Sequence, residues 1–384
     1  MLYADYNGSA PICNEVKEYL IDRIANGPYS NPNAIHSLGK KMMFGMEKCR
    51  RHLAKHLGCQ SAQIIFNSGS SEGISQIFYS LLDDKKEGKD IIITSGIEHS
   101  AVVKCCELYE SKGYIVKTIN TLENGIVDLE HLKTLLKEYG ERAALITVMA
   151  ANNENGIIQP YKEIGSIAKK SGVLYFSDTT QFIGKTEFNF SESNMDFAVL
   201  SSHKIGALIG SGLIMAKDET LLKSFIQGGG QEKGLRGGTQ NYIGIETMAV
   251  AMEAFAKALP GLKEVQTLRE KFESNIKSKF PEVVIIGEDS PRLATTTMIA
   301  FPGIHGQAVQ IELESNDIFV TTSSACSDNK PETSRVLKSM GLNDDVGRGV
   351  VRISFCTNAN AEVYSTIEEK LENAYNKLKK LNSF

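Results

Sequence analysis

Lys204 has the clearest chemical potential in this sequence, because it follows the short apolar segment 197–200 within Ser-Ser-His-Lys. A lysine at the end of a buried strand can lose its proton when it is desolvated or lies near another cation. The neutral amine can then form a Schiff base with an aldehyde. On this tetrapeptide alone a solvated loop lysine is the more common situation, so an active Lys204 needs partners elsewhere in the chain.

Asp178 directly follows a second apolar segment, 173–177. Open α/β sheets bind their ligands at the carboxyl ends of the strands, where this carboxylate is expected to lie. It could keep the nitrogen of a pyridine ring protonated, and Gln181 could donate a hydrogen bond to an oxygen on the same ring. A turn or helix-capping role for Asp178 is an equally good interpretation.

Small polar residues, among them Ser70 and Ser71, precede an amphipathic helix predicted to begin at Glu72. Backbone N–H groups and the dipole at a helix start favour a phosphate, and the serines add hydroxyl groups. An ordinary N-cap is the more common role for such serines. The segment does not have the GxxxxGK[ST] spacing, which disfavours a nucleoside triphosphate.

Two side chains, His99 and Arg352, could assist such a site. His99 follows a predicted strand and could stack on a flat ring and move protons near neutral pH, although a capping histidine is more common. Arg352 alternates with apolar neighbours on a predicted strand. Its planar fork suits a substrate carboxylate, and a structural salt bridge is equally plausible.

Cys326 differs from the other cysteines because it lies among small polar residues, 323–327. A thiol on a mobile, solvated loop can act as a nucleophile, whereas a core thiol is inert. The seven cysteines form an odd number with no CxxC pair. We therefore expect neither a disulfide framework nor a metal site.

The elements that must position these residues alternate between strand and helix, which predicts an α/β core with a mainly parallel sheet. Predicted strands are 64–66, 91–94, 144–149, 174–177, 197–200 and 213–215, and predicted helices are 41–57, 72–82, 102–112 and 129–139. Beyond residue 255 come a helix at 262–280, strands at 283–286, 295–301 and 350–356, and a terminal helix at 363–381. We predict a large domain over residues 14–255 and a smaller α+β domain over 1–13 and 256–384 that carries Cys326.

Composition limits the partners of the protein. The 384 residues carry a formal charge of −4, so no strong basic field favours nucleic acid. No apolar segment is long enough to cross a bilayer, and the first residues lack the pattern of a signal peptide. A cytoplasmic location is therefore expected.

Taken together, these elements resemble the cysteine desulfurases of the NifS/IscS type, in the class V aminotransferase group of pyridoxal-5′-phosphate (PLP) enzymes. The resemblance implies the type I fold of PLP-dependent transferases, with a seven-stranded sheet. The Ser-Ser-Ala-Cys sequence at residues 323–326 of this chain resembles the IscS/NifS branch of the family rather than the SufS branch. The matching stretches are 5–7, 30–33 with His36, 98–99, 151–156, 159–160, 201–204, 228–232, 234–236, 239–241 and 323–326.

The resemblance implies a role for each candidate. Lys204 would hold PLP and move protons, Asp178 would pair with the pyridine nitrogen, Gln181 with the ring oxygen, and His99 would stack on the ring. Phosphate would bind to Ser71, Ser201, His203 and the Ser70 backbone, and Thr239 would reach the phosphate of the neighbouring subunit in a homodimer. Asn153 and Arg352 would hold the carboxylate of L-cysteine, with Asn153 also contacting the cofactor. Cys326 would take the sulfur as a persulfide and pass it to an acceptor such as an iron–sulfur scaffold protein.

The sequence departs from the family pattern after the lysine, where a Gly-Pro-Lys turn is replaced within 205–210. Ser70-Ser71 replaces Ala-Thr, and Thr179-Thr180 replaces Ala-Ala, and both changes keep the polar contacts. Two alternatives stay open. One is another class V enzyme, either a selenocysteine lyase or an aminotransferase, and the other is a degenerate scaffold for sulfur transfer.

Overall fold

The computed structural model describes residues 1–322 and 332–381. Strands in the described residues are β1 Leu2–Tyr3, β2 Ile64–Asn67, β3 Ile91–Ser95, β4 Ile115–Ile119, β5 Ala143–Thr147, β6 Tyr175–Asp178, β7 Phe197–Ser201, β8 Gly212–Ala216, β9 Val284–Ile285, β10 Thr296–Ala300, β11 Ile318–Phe319 and β12 Val350–Ser354. The helices are α1 Asn14–Asn26, α2 Ser37–Leu57, α3 Ser70–Leu82, α4 Ser100–Ser111, α5 Leu129–Tyr139, α6 Tyr161–Lys170, α7 Tyr242–Ala258, α8 Leu262–Lys279, α9 Gly306–Glu314, α10 Arg335–Ser339, α11 Asp344–Gly347 and α12 Ala361–Leu381.

Within residues 1–322 and 332–381, the largest sheet has seven strands in the order β2-β8-β7-β6-β5-β3-β4. Strands β4, β3, β5, β6 and β7 run parallel, and β8 is inserted antiparallel between β7 and β2. The predicted α/β class and mainly parallel sheet are confirmed.

Apolar packing on both faces explains why the central strands have almost no polar interruption. Along β3, Ile91 and Ile93 pack into one apolar cluster, while Ile92 packs into another. Successive side chains of a strand point to opposite faces, so a strand covered by helices on both sides must be apolar throughout.

A second apolar core involves the beginning and the last third of the chain. Strands β9, β10 and β12 form an antiparallel sheet in the order β12-β10-β9, and β1 pairs with β11. Ala4 at the N-terminus packs into this core together with Phe272, Ile299 and Ile367. The division into domains at residues 14 and 256 stays a prediction.

Several predicted boundaries were wrong by a few residues, and three strands among the described residues were missed, the two-residue strands β1 and β11 and the longer β4. Helix α3 begins at Ser70 and α4 at Ser100, each two residues earlier than predicted, because a polar first turn shows no apolar periodicity. The longest missed strand, β4, lies at the edge of the large sheet and has partly exposed residues, including Lys117. Cys356, predicted to end a strand, lies two residues beyond β12.

In the described part of the chain, no helix combines the length and the apolar character needed to cross a membrane.

Candidate active site

The predicted site residues meet at the carboxyl edge of the large sheet. Asp178 and Ser201 are the last residues of β6 and β7, and α3 and α4 begin just after β2 and β3. One cavity of about 240 Å³ opens at this edge. The predicted residues that line it are Ser70, Ser71, His99, Asn153, Asp178, Gln181, Ser201, His203, Lys204 and Arg352.

Lys204 lies on a single 3₁₀ turn, Ser202–Ile205, that follows β7 directly. Its Nζ donates hydrogen bonds to the backbone oxygens of Asn7, at 2.8 Å, and Gly8, at 2.5 Å. The turn ends at Gly206, whose φ of 81° lies in the left-handed region that favours glycine. The chain therefore holds the lysine between the end of a buried strand and the N-terminal segment.

Hydroxyl groups converge at the start of α3. The backbone N–H of Ser70 donates to Oγ of Ser201 at 2.7 Å, and the hydroxyl oxygens of Thr180 and Ser70 lie 2.6 Å apart. Gly69 has a φ of 148°, and a Cβ atom there would come within 3.2 Å of the Ser201 hydroxyl. This corner combines a helix N-terminus with three hydroxyl groups, which suits a phosphate.

Asp178 provides a buried carboxylate at the base of the cavity, with only 4% of its surface exposed. Its Oδ1 accepts hydrogen bonds from the backbone N–H and the hydroxyl of Thr180, at 3.0 and 2.5 Å. Asp178 therefore forms the turn contact considered from the sequence and also faces the cavity. A buried carboxylate is suited to a cationic ring nitrogen.

Glu98 is a second buried acid near Asp178, and it was not among the predicted site residues. Burial, with the nearby charge of Asp178, raises the pKa of Glu98 to about 8. Its Oε1 accepts hydrogen bonds from the Ser95 hydroxyl and the Met149 N–H. Glu98 is therefore mostly protonated at neutral pH, so it adds little negative charge beneath the site.

The two histidines have different surroundings. His99 caps α4, because its Nδ1 accepts from the N–H of Ala101 at 3.2 Å, and its side chain also lines the cavity. His203 contacts the Ser9 hydroxyl through Nδ1 at 3.0 Å. Burial, followed by the positive charges of Lys204 and Lys185, lowers the pKa of His203 to about 4, so this ring is neutral at pH 7.

Lys185 is a buried lysine that the sequence analysis missed, and only 4% of it is exposed. Its Nζ donates to Oδ1 of Asn7 at 2.6 Å and to Oε1 of Gln181. Gln181 in turn donates through Nε2 to the backbone oxygen of Asn7 at 2.8 Å. Burial, then the charges of Lys204 and Arg352, lowers the pKa of Lys185 well below its usual value. The available signal was a lysine two residues after the apolar pair Phe182-Ile183, separated from it only by Gly184.

Arg352 is buried and forms a salt bridge. Its Nη2 lies 2.6 Å from Oδ1 of Asp5, and its Nη1 donates to the backbone oxygen of Asn153 at 2.9 Å. Its Nε is buried with no hydrogen-bond partner among the described residues. The salt-bridge interpretation left open by the sequence is therefore correct, and the guanidinium also lines the cavity.

One predicted residue in the described part of the chain does not line this cavity. Thr239 is exposed and is not among the described residues that line it. Cys326 lies outside the described residues.

The altered turn after the lysine is anchored by Ser202. Its hydroxyl contacts the backbone oxygen and the hydroxyl of Ser211, both at 2.7 Å, and also bonds to the backbone oxygen of Leu208. Ile209, at the tip of this turn, is 76% exposed. The replacement therefore keeps the Lys204 turn closed and presents an apolar side chain to solvent.

The donor set fits PLP. The hydroxyls and helix start of the Ser70 corner suit its phosphate, Asp178 its pyridine nitrogen, and Gln181 its ring oxygen, while Lys204 can react with its aldehyde. The aromatic ring of His99 lines the same cavity.

Comparison with known proteins agrees with this assignment. The class-V aminotransferase family model matches residues 2–364. A cysteine desulfurase IscS from Rickettsia prowazekii is 33% identical over 355 residues, covering 91% of this chain and 85% of that protein. A solved NifS-like protein has a TM-score of 0.90 at 33% identity, covering 98% of this chain and 100% of the other. A structure described as SspA in complex with cysteine has a TM-score of 0.80 at 28% identity, covering 92% and 99%.

The fold and the cavity are those of a PLP-dependent enzyme of fold type I. The chain belongs to the class-V aminotransferase family, in the group that contains the NifS and IscS cysteine desulfurases. The resemblance noted from the sequence is confirmed.

Proposed function

We propose that this chain is a PLP-dependent cysteine desulfurase that converts L-cysteine to L-alanine and retains the sulfur as a persulfide on Cys326. The observation that carries the proposal is that Lys204, Asp178 and Arg352 line one cavity at the carboxyl edge of the sheet. Relatives named cysteine desulfurase, and a related structure that contains cysteine, support the choice of reaction and substrate.

In this proposal each side chain has a defined task at the cofactor. When bound, PLP supplies a conjugated ring that withdraws electrons from the substrate carbon. Lys204 would hold its aldehyde carbon and move protons, and Asp178 would keep the ring nitrogen protonated. His99 would stack on the ring, and Gln181 would donate to the ring oxygen. The phosphate would be held by Ser71, Ser201, His203 and the Ser70 backbone, with Asn153 as a further contact.

Arg352 and Asn153 are proposed to hold the carboxylate of L-cysteine. The guanidinium already faces the cavity, and its buried Nε lacks a hydrogen-bond partner among the described residues. A buried cation of this kind is stabilised by an incoming carboxylate, which forms charge-assisted hydrogen bonds with it. Asp5, which pairs with Arg352 at 2.6 Å, limits the excess positive charge when no substrate is present.

The sulfur step consumes the thiolate of Cys326 and one substrate molecule, and it depends on the electron-withdrawing ring of the bound cofactor. The thiolate attacks the sulfur of L-cysteine, so an S–S bond forms as the C–S bond breaks. The electron pair of that bond stays on the carbon side and is protonated to give L-alanine. Cysteine and the protein thiol thus give alanine and a protein persulfide without another oxidant, and a thiolate is the reactive form for such exchange.

The assembly belongs to the same proposal. Thr239 is exposed and lies outside the cavity of its own chain, which is compatible with its reaching the phosphate of a second copy. Nearby, Asn33 donates to Gln240 at 3.3 Å, so two separate stretches that match the family meet at this surface. We propose a homodimer that passes sulfur to an acceptor protein. The cytoplasmic location stays a prediction.

The test is to incubate the PLP-loaded protein with L-cysteine and a thiol reductant, and to measure alanine and sulfide for wild type and Cys326→Ala. Equal amounts of both products from wild type, and neither from the variant, support the proposal. Without reductant, the peptide that contains Cys326 should gain the mass of one sulfur atom. Turnover that survives Cys326→Ala would favour another class V reaction, and no alanine from the loaded wild type would favour a sulfur-transfer scaffold.

A further inference from the structure

His52, His56 and Glu253 form a cluster of possible metal ligands outside the active site. The two histidines lie four residues apart on α2, and Glu253 lies on the neighbouring helix α7. Residues spaced by four share one face of a helix, so both imidazoles point in a similar direction. The side chains are 36%, 19% and 42% exposed, so solvent reaches all three.

The donor atoms converge on one carboxylate oxygen. Nε2 of His52 lies 3.2 Å from Oε2 of Glu253, and Nε2 of His56 lies 3.0 Å from the same oxygen. One ligand atom from each of the three residues lies within 4.8 Å of the others. The two imidazole rings meet edge to face, with centroids 4.6 Å apart.

These separations are close to those of a tetrahedral zinc site. Zinc lies about 2.0–2.2 Å from nitrogen and oxygen ligands, so two ligand atoms in a tetrahedral site are roughly 3.4 Å apart. Both histidine-to-glutamate separations need to increase by only a few tenths of an ångström. The ligand nitrogens of the two histidines, which lie within 4.8 Å of each other, would also move to this spacing.

We propose that His52, His56 and Glu253 bind a divalent transition-metal ion of the zinc class, with water as the fourth ligand. Each neutral imidazole, which donates Nε2–H to Oε2 of Glu253 when no metal is bound, would carry its proton on Nδ1 instead and give the Nε2 lone pair to the metal. The Nε2–H···O contacts would thus be replaced by metal–ligand bonds with no net release of protons. Two imidazoles and one carboxylate suit zinc, nickel or cobalt better than calcium or magnesium.

The surrounding charges define which oxygen is available. Lys257 lies 3.8 Å from Oε1 of Glu253, the oxygen that does not face the histidines, so Oε2 is left for the metal. Lys48 and Lys55 lie near His52, and their positive charges repel a metal cation bound there. The site should therefore bind an exchangeable ion less tightly than a closed four-ligand structural site.

A bound metal would connect α2 to α7. Helix α7 also contributes Ala251 and Phe255 to a second cavity that includes Lys204, so the site would reinforce a helix that borders the catalytic region. We expect zinc to raise the melting temperature of the protein, because a ligand that binds only the folded state stabilises it.

The test is calorimetric titration of the PLP-loaded full chain with ZnCl2 after its accessible thiols have been alkylated. Wild type should bind one zinc ion. His52→Ala and His56→Ala should each bind at least about tenfold more weakly, since loss of even an outer partner of a ligand weakens metal sites about 10- to 100-fold. His305→Ala removes an exposed histidine outside the cluster and is the matched control, which should bind zinc like wild type.

A spectroscopic experiment on wild type avoids any dependence on folding of the variants. Cobalt(II) added to the alkylated protein should give visible bands of a four-coordinate ion and two shifted imidazole N–H signals in the NMR spectrum. Absence of zinc binding, equal zinc affinity in the His52 and His56 variants, or a cobalt adduct without two imidazole signals would overturn the proposal. None of these outcomes depends on cysteine desulfurase activity.

Discussion

The backbone N–H of Ser70 donates to the hydroxyl of Ser201 at 2.7 Å, which joins the first turn of α3 to the last residue of β7. The same hydroxyl donates to Oγ of Ser70 at 3.0 Å. A single side chain thus orients the phosphate corner. This contact connects two parts of the site that are far apart in sequence, the start of α3 and the turn that carries Lys204.

We expect Ser201→Ala to weaken PLP binding by about tenfold, because it removes one phosphate ligand and leaves the Ser70 N–H without its partner, a loss of about 1–2 kcal/mol. Reconstitution of the apoprotein with increasing PLP, followed by visible absorption, measures this affinity. Ser75→Ala is the control, since the Ser75 hydroxyl bonds within α3 to the backbone oxygen of Ser71. Unchanged PLP affinity in Ser201→Ala would remove Ser201 from the phosphate site.

Lys185 fixes the orientation of Gln181, and we expect Lys185→Met to disturb both stability and cofactor environment. The change leaves Oδ1 of Asn7 and Oε1 of Gln181 without their lysine donor in a buried place. Each loss of this kind costs about 1–3 kcal/mol, so the free energy of unfolding should fall by a few kcal/mol. Urea unfolding measures the decrease.

The visible spectrum of the PLP-loaded Lys185→Met protein gives a second readout. A Gln181 amide that is free to turn no longer presents Nε2 consistently to the ring oxygen, so the absorption maximum should shift. Lys133→Met, at an exposed lysine of α5, should change neither stability nor spectrum beyond experimental error. A normal spectrum in Lys185→Met would leave Lys185 with a purely structural role.

The strand–helix order and most of the cavity could be predicted from the sequence, because buried parallel strands leave continuous apolar segments and the site residues directly follow them. Asp178 and Ser201 end strands, and Lys204 follows one within a few residues. Contacts between residues that are distant in sequence and meet only in the folded protein could not be predicted in this way. The Asp5–Arg352 pair joins residues 347 positions apart, and no local pattern encodes that distance.

The missed residues share the same physical cause. Lys185 and Glu98 are buried ionisable groups. The apolar residues around them in the sequence indicate burial, but they do not indicate which hydrogen-bonding partners stabilise the buried side chain. Lys185 depends on Asn7, which is brought from the N-terminus. Composition also gave no reason to expect a metal site, since His52 and Glu253 meet only when α2 packs on α7.

Arg352→Lys should raise the KM for L-cysteine by about 10- to 100-fold and leave PLP affinity unchanged. Lysine keeps the charge but loses the planar fork that holds a carboxylate through two hydrogen bonds. Steady-state kinetics with L-cysteine separates the effect on KM from that on kcat. Asp5→Asn is the companion variant, because it leaves Arg352 in place and removes its ionic partner at 2.6 Å.

The two variants should differ in a defined way. Asp5→Asn should lower the free energy of unfolding, since it leaves a buried cation without its counter-charge. Its KM should stay the same or fall, because the guanidinium is then available to the substrate carboxylate. An equal rise of KM in both variants would show that Arg352 acts on substrate only through the integrity of the salt bridge.

Glu98→Gln should remove a pH-dependent loss of stability. Burial raises the folded-state pKa of Glu98 from 4.5 to about 8, so the folded protein binds a proton that the unfolded chain releases between these values. The stability that this proton gives is fully present below about pH 4.5 and is lost progressively as the pH rises to about 8. The upper limit of that loss is roughly 4–5 kcal/mol. Glutamine stays neutral and keeps an oxygen that can accept from Met149 N–H. The free energy of unfolding of the variant should therefore fall less than that of wild type as the pH rises.

Urea unfolding at pH 5 and pH 8 tests this difference. Wild type should lose more free energy of unfolding between the two pH values than Glu98→Gln, and the variant should be the more stable protein at pH 8. Glu107→Gln, at an exposed acid of α4, should follow wild type. Parallel pH profiles for wild type and Glu98→Gln would mean that Glu98 is ionised in the folded protein, and its charge would then act together with that of Asp178 on the ring nitrogen of the cofactor.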